Sequence, residues 1–315
     1  MSMNDEYPVS VSIFGKFETD QPLVQPVLRF APSPNGPLHR GHALSALLND
    51  GLAKRLGGTL LLRIEDIDPV RSRPIFCEAI EETMHWLGIA YPSPVRRQSG
   101  HMSDYARAFD WLESRGLVYP CFCTRADVEA ALTSRTDSWP RDPDGAPLYP
   151  RTCFHKSKTE IARHFERGEK PQWRLDMAEA AGTSGPLSWK RFDPLDFSVV
   201  EVKADPAQWG DVVLKRKDTP TSYHLSVVVD DALQSITHVI RGLDLEAATD
   251  IHTLLQHLFD VPQPLYWHHS LVTEGDGRKL AKSRSSLSLA DERKNGLTLS
   301  QLLRDFARAG LLVNP

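Results

Sequence analysis

Arg29-Phe-Ala-Pro-Ser-Pro-Asn-Gly-Pro-Leu-His-Arg-Gly-His42 is the stretch of this 315-residue chain whose reading decides the fold. An apolar run leads into it. Pro32, Pro34 and Pro37 then preset the backbone, and Gly36 and Gly41 allow a ligand to approach closely. His39 and His42 stand three apart where a helix opens. Strand, tight loop and helix N-terminus in that order make a phosphate site, because unpaired N–H groups and the helix dipole both favour an anion. At i and i+3 the two imidazoles share one face at the positive end of the helix. There they are placed to donate to the phosphoryl oxygens of ATP as charge develops at the α-phosphorus, worth roughly 3 kcal/mol per preorganised donor. A Pro-rich turn that only caps a helix gives the same pattern, so the reading needs a partner elsewhere.

That partner is Gly277-Arg-Lys-Leu-Ala-Lys-Ser-Arg284. Lys279 and Lys282, in a Gly-flanked loop, suit a segment that covers a triphosphate and neutralises departing pyrophosphate. The GxxxxGK[ST] spacing is missing, which argues against an ordinary P-loop ATPase.

Outward from the opening stretch, periodicity predicts a strand at Val24–Phe30 and a helix at Gly41–Leu56 with Leu44, Leu47, Leu48 and Leu52 on its apolar side. A buried strand follows at Thr59–Ile64, then a helix at Pro74–Leu87 with Ile75, Ala79, Ile80, Met84 and Leu87 on one side. This alternation predicts an α/β fold with a Rossmann-type parallel sheet. Further on, the pattern gives a helix at Tyr105–Arg115 and short strands at Gln172–Asp176, Leu187–Phe192 and Phe197–Val202. Strands at Asp211–Lys215, Leu225–Val229 and Ile236–Ile240 then precede a helix at Leu245–Phe259, and a last helix covers Leu299–Leu312. We divide the chain into an N-terminal extension (1–23), a first catalytic half (24–90), an inserted subdomain (91–190), a second catalytic half (191–270), and the lysine loop with a short helical tail (271–315).

Lys plus Arg number 37 against 41 Asp plus Glu, a net charge of −4, so bulk charge does not announce a nucleic-acid partner. Local runs such as Lys215–Lys217, or Arg151 with His155, Lys156 and Lys158, are the candidate phosphate contacts. No apolar run approaches the roughly 20 residues of a membrane span, and no basic, then apolar, leader opens the chain. The expectation is a cytoplasmic monomer without membrane contact. Of the four cysteines, Cys121, Cys123 and Cys153 lie close in sequence and offer three soft ligands for one structural Zn2+, whereas Cys77 in an apolar helix reads as core. Tyr149 and His155 are both available as a fourth ligand.

Arg29–Ser33 with His39-x-Gly-His42, the strand end Arg63-Ile-Glu-Asp-Ile-Asp68, and Lys279–Ser283 together resemble class I glutamyl-tRNA synthetases with their "HIGH" and "KMSKS" signatures. The resemblance spans about residues 24–285 and is closest to the short, queuosine-directed members, which lack an anticodon-binding domain. The short tail after Ser283 agrees with that. The resemblance implies glutamate contacts from Arg29, Phe30, Ala31, Pro32 and Ser33, with Glu65 facing the substrate amine and Tyr223 and Arg241 in the side-chain pocket. It implies ATP contacts from His39, Gly41, His42, Asp244 and Lys282, with Mg2+ accompanying ATP. It also favours Tyr149, in a Tyr-x-x-x-Cys pattern, as the fourth zinc ligand. The chemistry agrees: a substrate with two carboxylates and one ammonium wants two arginines and one carboxylate, and arginine grips carboxylates in a bidentate, planar way.

The expected activity is ATP-dependent activation of L-glutamate to glutamyl-adenylate, followed by transfer to queuosine at the wobble position of tRNA(Asp). Two other readings stand beside it. One is a truncated enzyme charging a tRNA 3′ end, against which the short tail argues. The other is a non-catalytic module that binds glutamate, ATP or tRNA. The intact His39, His42, Lys279 and Lys282 argue against lost catalysis.

Overall fold

The computed structural model describes residues 25–133, 138–272 and 287–312. The first strand, β1 (Val27–Phe30), is buried from Leu28 onward and leads into the Pro-rich loop. The chain then runs α1 (Arg40–Arg55), β2 (Thr59–Ile64), α2 (Pro74–Trp86), β3 (Arg96–Arg97), α3 (Met102–Ser114), β4 (Val118–Cys121), α4 (Arg125–Thr133) and α5 (Lys158–Glu166). After these come β5 (Gln172–Leu175), α6 (Met177–Ser184), β6 (Ser188–Phe192), β7 (Val199–Lys203), β8 (Val213–Lys215) and α7 (Tyr223–Leu233). The remainder is β9 (His238–Gly242), α8 (Ala248–Phe259), β10 (Leu265–His269), α9 (Leu289–Lys294) and α10 (Leu299–Arg308).

The main sheet has seven strands in the order β3-β2-β1-β9-β10-β6-β7. All its pairings are parallel except β6 with β7. The expected α/β fold with a mostly parallel sheet is therefore present. From β1 the chain moves outward through β2 and β3, forms the opposite edge with β6 and β7, and then fills the middle with β9, beside β1, and β10. Strand order reverses between β1 and β9, and a crevice for ligand opens at the carboxyl ends of the strands beside such a point. Asn49, buried on α1, fixes the helix across this junction by donating to the Ile240 carbonyl of β9 at 3.2 Å. A second, antiparallel sheet of β4, β5 and β8 lies in the middle of the chain. Among the described residues, no helix is long and apolar enough to cross a membrane.

Two sequence expectations are corrected. Leu225–Val229 is not a strand but part of α7, in which Leu225 through Ala232 are all buried. A helix apolar on every side loses its 3.6-residue signature and reads like a core strand. Ile75, expected on the buried side of α2, is 66 % exposed, because it lies in the helix's first turn, away from Cys77, Ile80 and Met84. The short helices α4, α5, α6 and α9 also went unrecognised, being too short for a periodic signal.

The last two helices pack back onto the opening of α1. Leu289 N–H donates to the Leu38 carbonyl at 2.8 Å, and Arg40 pairs with Glu292 and Asp305 at 2.8 Å each. Leu302 and Phe306 of α10 join Leu28, Leu38 and Leu44 in one core cluster. The helix that begins at His39 is thus clamped from the C-terminal side. Phe306→Ala is expected to cost about 3–5 kcal/mol of unfolding free energy in a urea titration. A loss below about 1 kcal/mol would show that α10 lies outside the cooperative core.

Candidate active site

A cavity of about 570 Å³ opens at the carboxyl ends of β1, β2 and β9. Its walls include Arg29, Phe30, Ala31, Pro32, Ser33, His39, Gly41, His42, Glu65, Tyr223, Arg241 and Asp244. Residues singled out over two hundred positions of sequence are therefore brought together by the switch in strand order. Lys279 and Lys282 lie outside the described residues. Asn35, Ser45, Leu245 and His269 also line the cavity and were not anticipated.

His39 and His42 build the start of α1. His39 is the N-cap residue in extended conformation, and its Nδ1 accepts from the Gly41 N–H at 3.1 Å. His42 reciprocates, its Nδ1 accepting from the His39 N–H at 3.1 Å. This is a capping box made of two imidazoles. His39 therefore sits just outside the helix rather than on its first turn, yet the ring centroids are 3.9 Å apart. With Nδ1 used as an acceptor, each neutral ring carries its proton on Nε2. Gly41 makes room for this: a Cβ there would stand 3.0 Å from Cε1 and Nδ1 of His39.

Behind the cavity floor lies a buried charge network. Arg63 on β2 is fully buried and donates to Asp231 at 2.8 Å, to Gln234 at 3.0 Å and to Glu65 at 3.2 Å. Arg29 on β1 reaches the same Asp231 at 3.2 Å. The neighbouring Asp230 accepts from Arg96 at 2.8 Å, Gln98 at 2.7 Å and Tyr105 at 2.9 Å. Burial disfavours the Arg63 charge, but Asp231, Asp230 and Glu65 outweigh it and hold the group protonated. Burial pushes the Glu65 carboxyl above its ordinary range, while Arg63 and Arg29 pull it back. Burial would likewise raise Asp231, yet Arg29 and Arg63 hold it below the usual carboxylate range. Arg63, Asp230 and Asp231 were not among the expected site residues. The signal available was an acidic pair inside the apolar run Leu225–Ala232.

Arg241 on β9 sits in different company. Its guanidinium donates to Thr249 Oγ1 at 2.7 Å, His252 Nδ1 at 3.1 Å, His268 Nε2 at 3.2 Å and the Tyr223 hydroxyl at 3.4 Å. Burial, reinforced by the Arg241 charge, drives His224 down to about 4 and His268 to about 2, and holds His252 well below its ordinary value. Burial also lowers His238 and His269.

The thiols form a separate cluster. Cys121 and Cys153 are buried, Cys123 is partly buried, and their sulfurs lie within 4.8 Å of one another. Cys123 Sγ is 3.4 Å from both Cys153 Sγ and the Tyr149 hydroxyl, and that hydroxyl accepts from the Cys153 N–H at 2.9 Å. Sulfurs on one tetrahedral zinc, each about 2.3 Å from the metal, stand about 3.8 Å apart, so this group fits a metal ion. Tyr149 is buried among the thiols, whereas His155 is exposed and lies against Phe154. Arg151, at a φ of 58°, turns the backbone between Tyr149 and Cys153. It pairs with Asp176 at 2.9 Å and Asp211 at 3.3 Å. Each side chain of the run Lys215–Lys217 has a partner within the fold. Lys215 lies 4.3 Å from the Phe109 ring centre, Arg216 pairs with Asp68 at 3.1 Å, and Lys217 donates to the Phe122 carbonyl at 2.9 Å.

Asp231→Ala removes the shared partner of Arg29 and Arg63 and is expected to cost about 3–5 kcal/mol in denaturant unfolding. A loss under 1 kcal/mol would show that Asp230 and Glu65 suffice for Arg63. The histidines make stability depend on pH. Their folded values lie below the ordinary 6.5, so the unfolded chain takes up protons that the folded chain refuses. Their contribution is complete above pH 6.5 and is lost as pH falls below it, on the order of 2 kcal/mol by pH 5 for His224. Glu65 and Asp250, whose carboxyls burial raises, act in the opposite sense over the lower part of that window. A thermal midpoint that drops from pH 7.5 to pH 5 is expected, and a flat profile would contradict the neutral-histidine assignment.

Residues 26–314 match the family of class I tRNA synthetases (E and Q), catalytic domain. A protein of Rhodobacter capsulatus named glutamyl-Q tRNA(Asp) synthetase is 41% identical over 280 residues, covering 88% of this chain and 98% of that protein. Glutamate–tRNA ligase 2 of Methylobacterium radiotolerans is 37% identical over 86% of this chain and 57% of its own length. The crystal structure of a glutamate-tRNA synthetase from Elizabethkingia anophelis superposes with a TM-score of 0.67 at 27% identity, over 87% of this chain and 54% of that one. This chain thus spans about half of that solved synthetase. Fold, cavity position and these likenesses agree, and the chain belongs to the class I tRNA synthetases (E and Q).

Proposed function

We propose that the chain activates L-glutamate with ATP and transfers it to queuosine at the wobble position of tRNA(Asp). The observation that carries the first half is the cavity itself. Two arginines, one carboxylate and two capping histidines meet at the strand-order switch. Arg29 and Arg241 match the two carboxylates of glutamate, and Glu65 matches its ammonium. Tyr223 supports the side-chain end beside Arg241. The α-carboxylate oxygen of glutamate attacks the α-phosphorus of ATP, the bond to the bridging oxygen breaks, and pyrophosphate leaves. No protein nucleophile is needed. His39 and His42, each with its proton on Nε2, donate to the phosphoryl oxygens as they gain charge, and Gly41 lets the phosphate approach. Asp244 is assigned to the ATP ribose, and Lys279 and Lys282 to the departing pyrophosphate. Mg2+ would travel with ATP, bound mainly through phosphate oxygens. Cys121, Cys123, Cys153 and Tyr149 would hold a structural Zn2+ that ties the Cys121–Cys123 turn to the Tyr149–Cys153 loop.

The acceptor half rests on likeness. The Rhodobacter capsulatus relative named for tRNA(Asp) is matched over 98% of its length, whereas the glutamate–tRNA ligase is matched over 57%. Two experiments test the proposal. Glutamate-dependent exchange of labelled pyrophosphate into ATP is expected, and its absence would overturn the ligase reading. Labelled glutamate should then load tRNA(Asp) that contains queuosine and protect that nucleoside's cis-diol from periodate. Equal loading of tRNA lacking queuosine would instead assign the 3′ end as acceptor.

A further inference from the structure

The two arginines of the cavity are held in opposite ways. Arg29 donates through Nε to Asp231 at 3.2 Å, so its charge is partly balanced before any ligand arrives. Arg241 is just as buried, but Thr249, His252, His268 and Tyr223 give it no carboxylate. A guanidinium cannot lose its proton, so each nitrogen that faces it must be an acceptor. The proton of His252 therefore sits on Nε2, which lies 3.3 Å from His224 Nδ1. His268 uses Nε2 as its acceptor, 3.2 Å from both Arg241 and the Thr249 hydroxyl, which fixes its proton on Nδ1. That Nδ1 is buried and has no hydrogen-bond partner among the described residues. A ring turned to satisfy it would lose its acceptor contact with Arg241.

We propose that Thr249, His252 and His268 are positioning residues that orient Arg241 while leaving its charge uncompensated, so that the cavity selects a substrate side chain ending in a carboxylate over the isosteric amide. The inference rests on the glutamate reading for the identity of that side chain. Its physics is a difference between two ligands of equal shape. A carboxylate entering beside a buried, unbalanced cation gains full charge pairing and two acceptor oxygens. An amide gains no charge pairing and turns one N–H2 group toward a donor. A carboxylate in the protein at the place of His252 or His268 would neutralise Arg241 beforehand and repel the substrate's own carboxylate, erasing the distinction. Depth of burial supports the arrangement, since Thr249 is fully buried and His252 is 2 % exposed. Neither competes with solvent for the guanidinium.

The test compares His252→Asn with His252→Asp, two side chains of one shape that differ by a single charge. In pyrophosphate exchange the ratio of kcat/KM for glutamate over glutamine is expected to survive in His252→Asn and to fall roughly tenfold or more in His252→Asp, through a raised KM for glutamate. Equal ratios in the two variants would overturn the proposal. His268→Gln and His268→Glu form a second pair at a half-buried site, which decides the matter if His252→Asp does not fold. Calorimetric binding of glutamate and glutamine to the same proteins gives a readout independent of turnover. If the wild-type chain exchanged no pyrophosphate but bound glutamate over glutamine in this charge-dependent way, the ligase reading would fail and the cradle would stand. If it bound both equally, the cradle would fail.

Discussion

Arg63 carries a permanent charge at a point no water reaches, and much of the structure answers to it. An isolated ion in such a place would cost several kcal/mol even after relaxation, so carboxylates must be brought to it. They come from two directions. Glu65 lies two residues on, just past the end of the same strand, and Asp230 and Asp231 come from α7, more than a hundred and fifty residues later. Because Asp231 also grips Arg29, and Asp230 also grips Arg96, the network joins β1, β2, β3 and α7 into one rigid floor. The carboxylate and the first arginine of the cavity are thus parts of a solved charge balance. Their positions follow from it before any substrate is considered.

Arg241 obeys a different rule. Its surroundings satisfy its hydrogen bonds and leave its charge alone. Both place acceptors against the guanidinium, although Nε of Arg63 has no hydrogen-bond partner among the described residues. They differ in what they leave for a ligand. The floor under Arg29 and Glu65 is already paired with opposite charge, which favours fixed geometry. The wall at Arg241 is electrically incomplete, which favours an anion. An enzyme that must both align a substrate and discriminate it by charge has use for one of each.

The sequence showed most of the cavity but little of what supports it. Local motifs carry their own spacing, so the Pro-rich loop, His39, His42 and the Arg63–Asp68 strand end were legible, and family likeness added Tyr223 and Arg241. The supporting residues are scattered. Thr249, His252 and His268 sit on α8 and β10, and the spacing of a helix or strand does not tell which neighbour its polar side chains will meet. Asp230 and Asp231 were hidden for a second reason: the middle of α7 is buried all round, so Leu225–Val229 resembled a strand that stops before the acidic pair. Between Tyr149 and His155 the residues alone left both open, and only the resemblance favoured Tyr149. Both are within four residues of Cys153, and only the turn at Arg151, held by two aspartates, brings Tyr149 to the thiols and leaves His155 outside.

At His39 the start of the helix and the nitrogen left free to donate are set together. A helix N-terminus leaves donors that a cap must satisfy, and serine or aspartate is the usual solution. Here imidazoles do the work, and using Nδ1 as the acceptor decides which nitrogen keeps the proton. A serine cap would start α1 equally well but would offer no N–H to a phosphate. The glycine at 41 is part of the same bargain. A Cβ there would stand 3.0 Å from the ring atom that accepts the cap bond, so the ring would have to give way by a few tenths of an ångström. Arg40, between the two, is pinned by Glu292 and Asp305, which prevents the first turn from fraying outward. The C-terminal helices therefore act on the Pro-rich loop from outside the cavity: they hold the turn that holds the histidines.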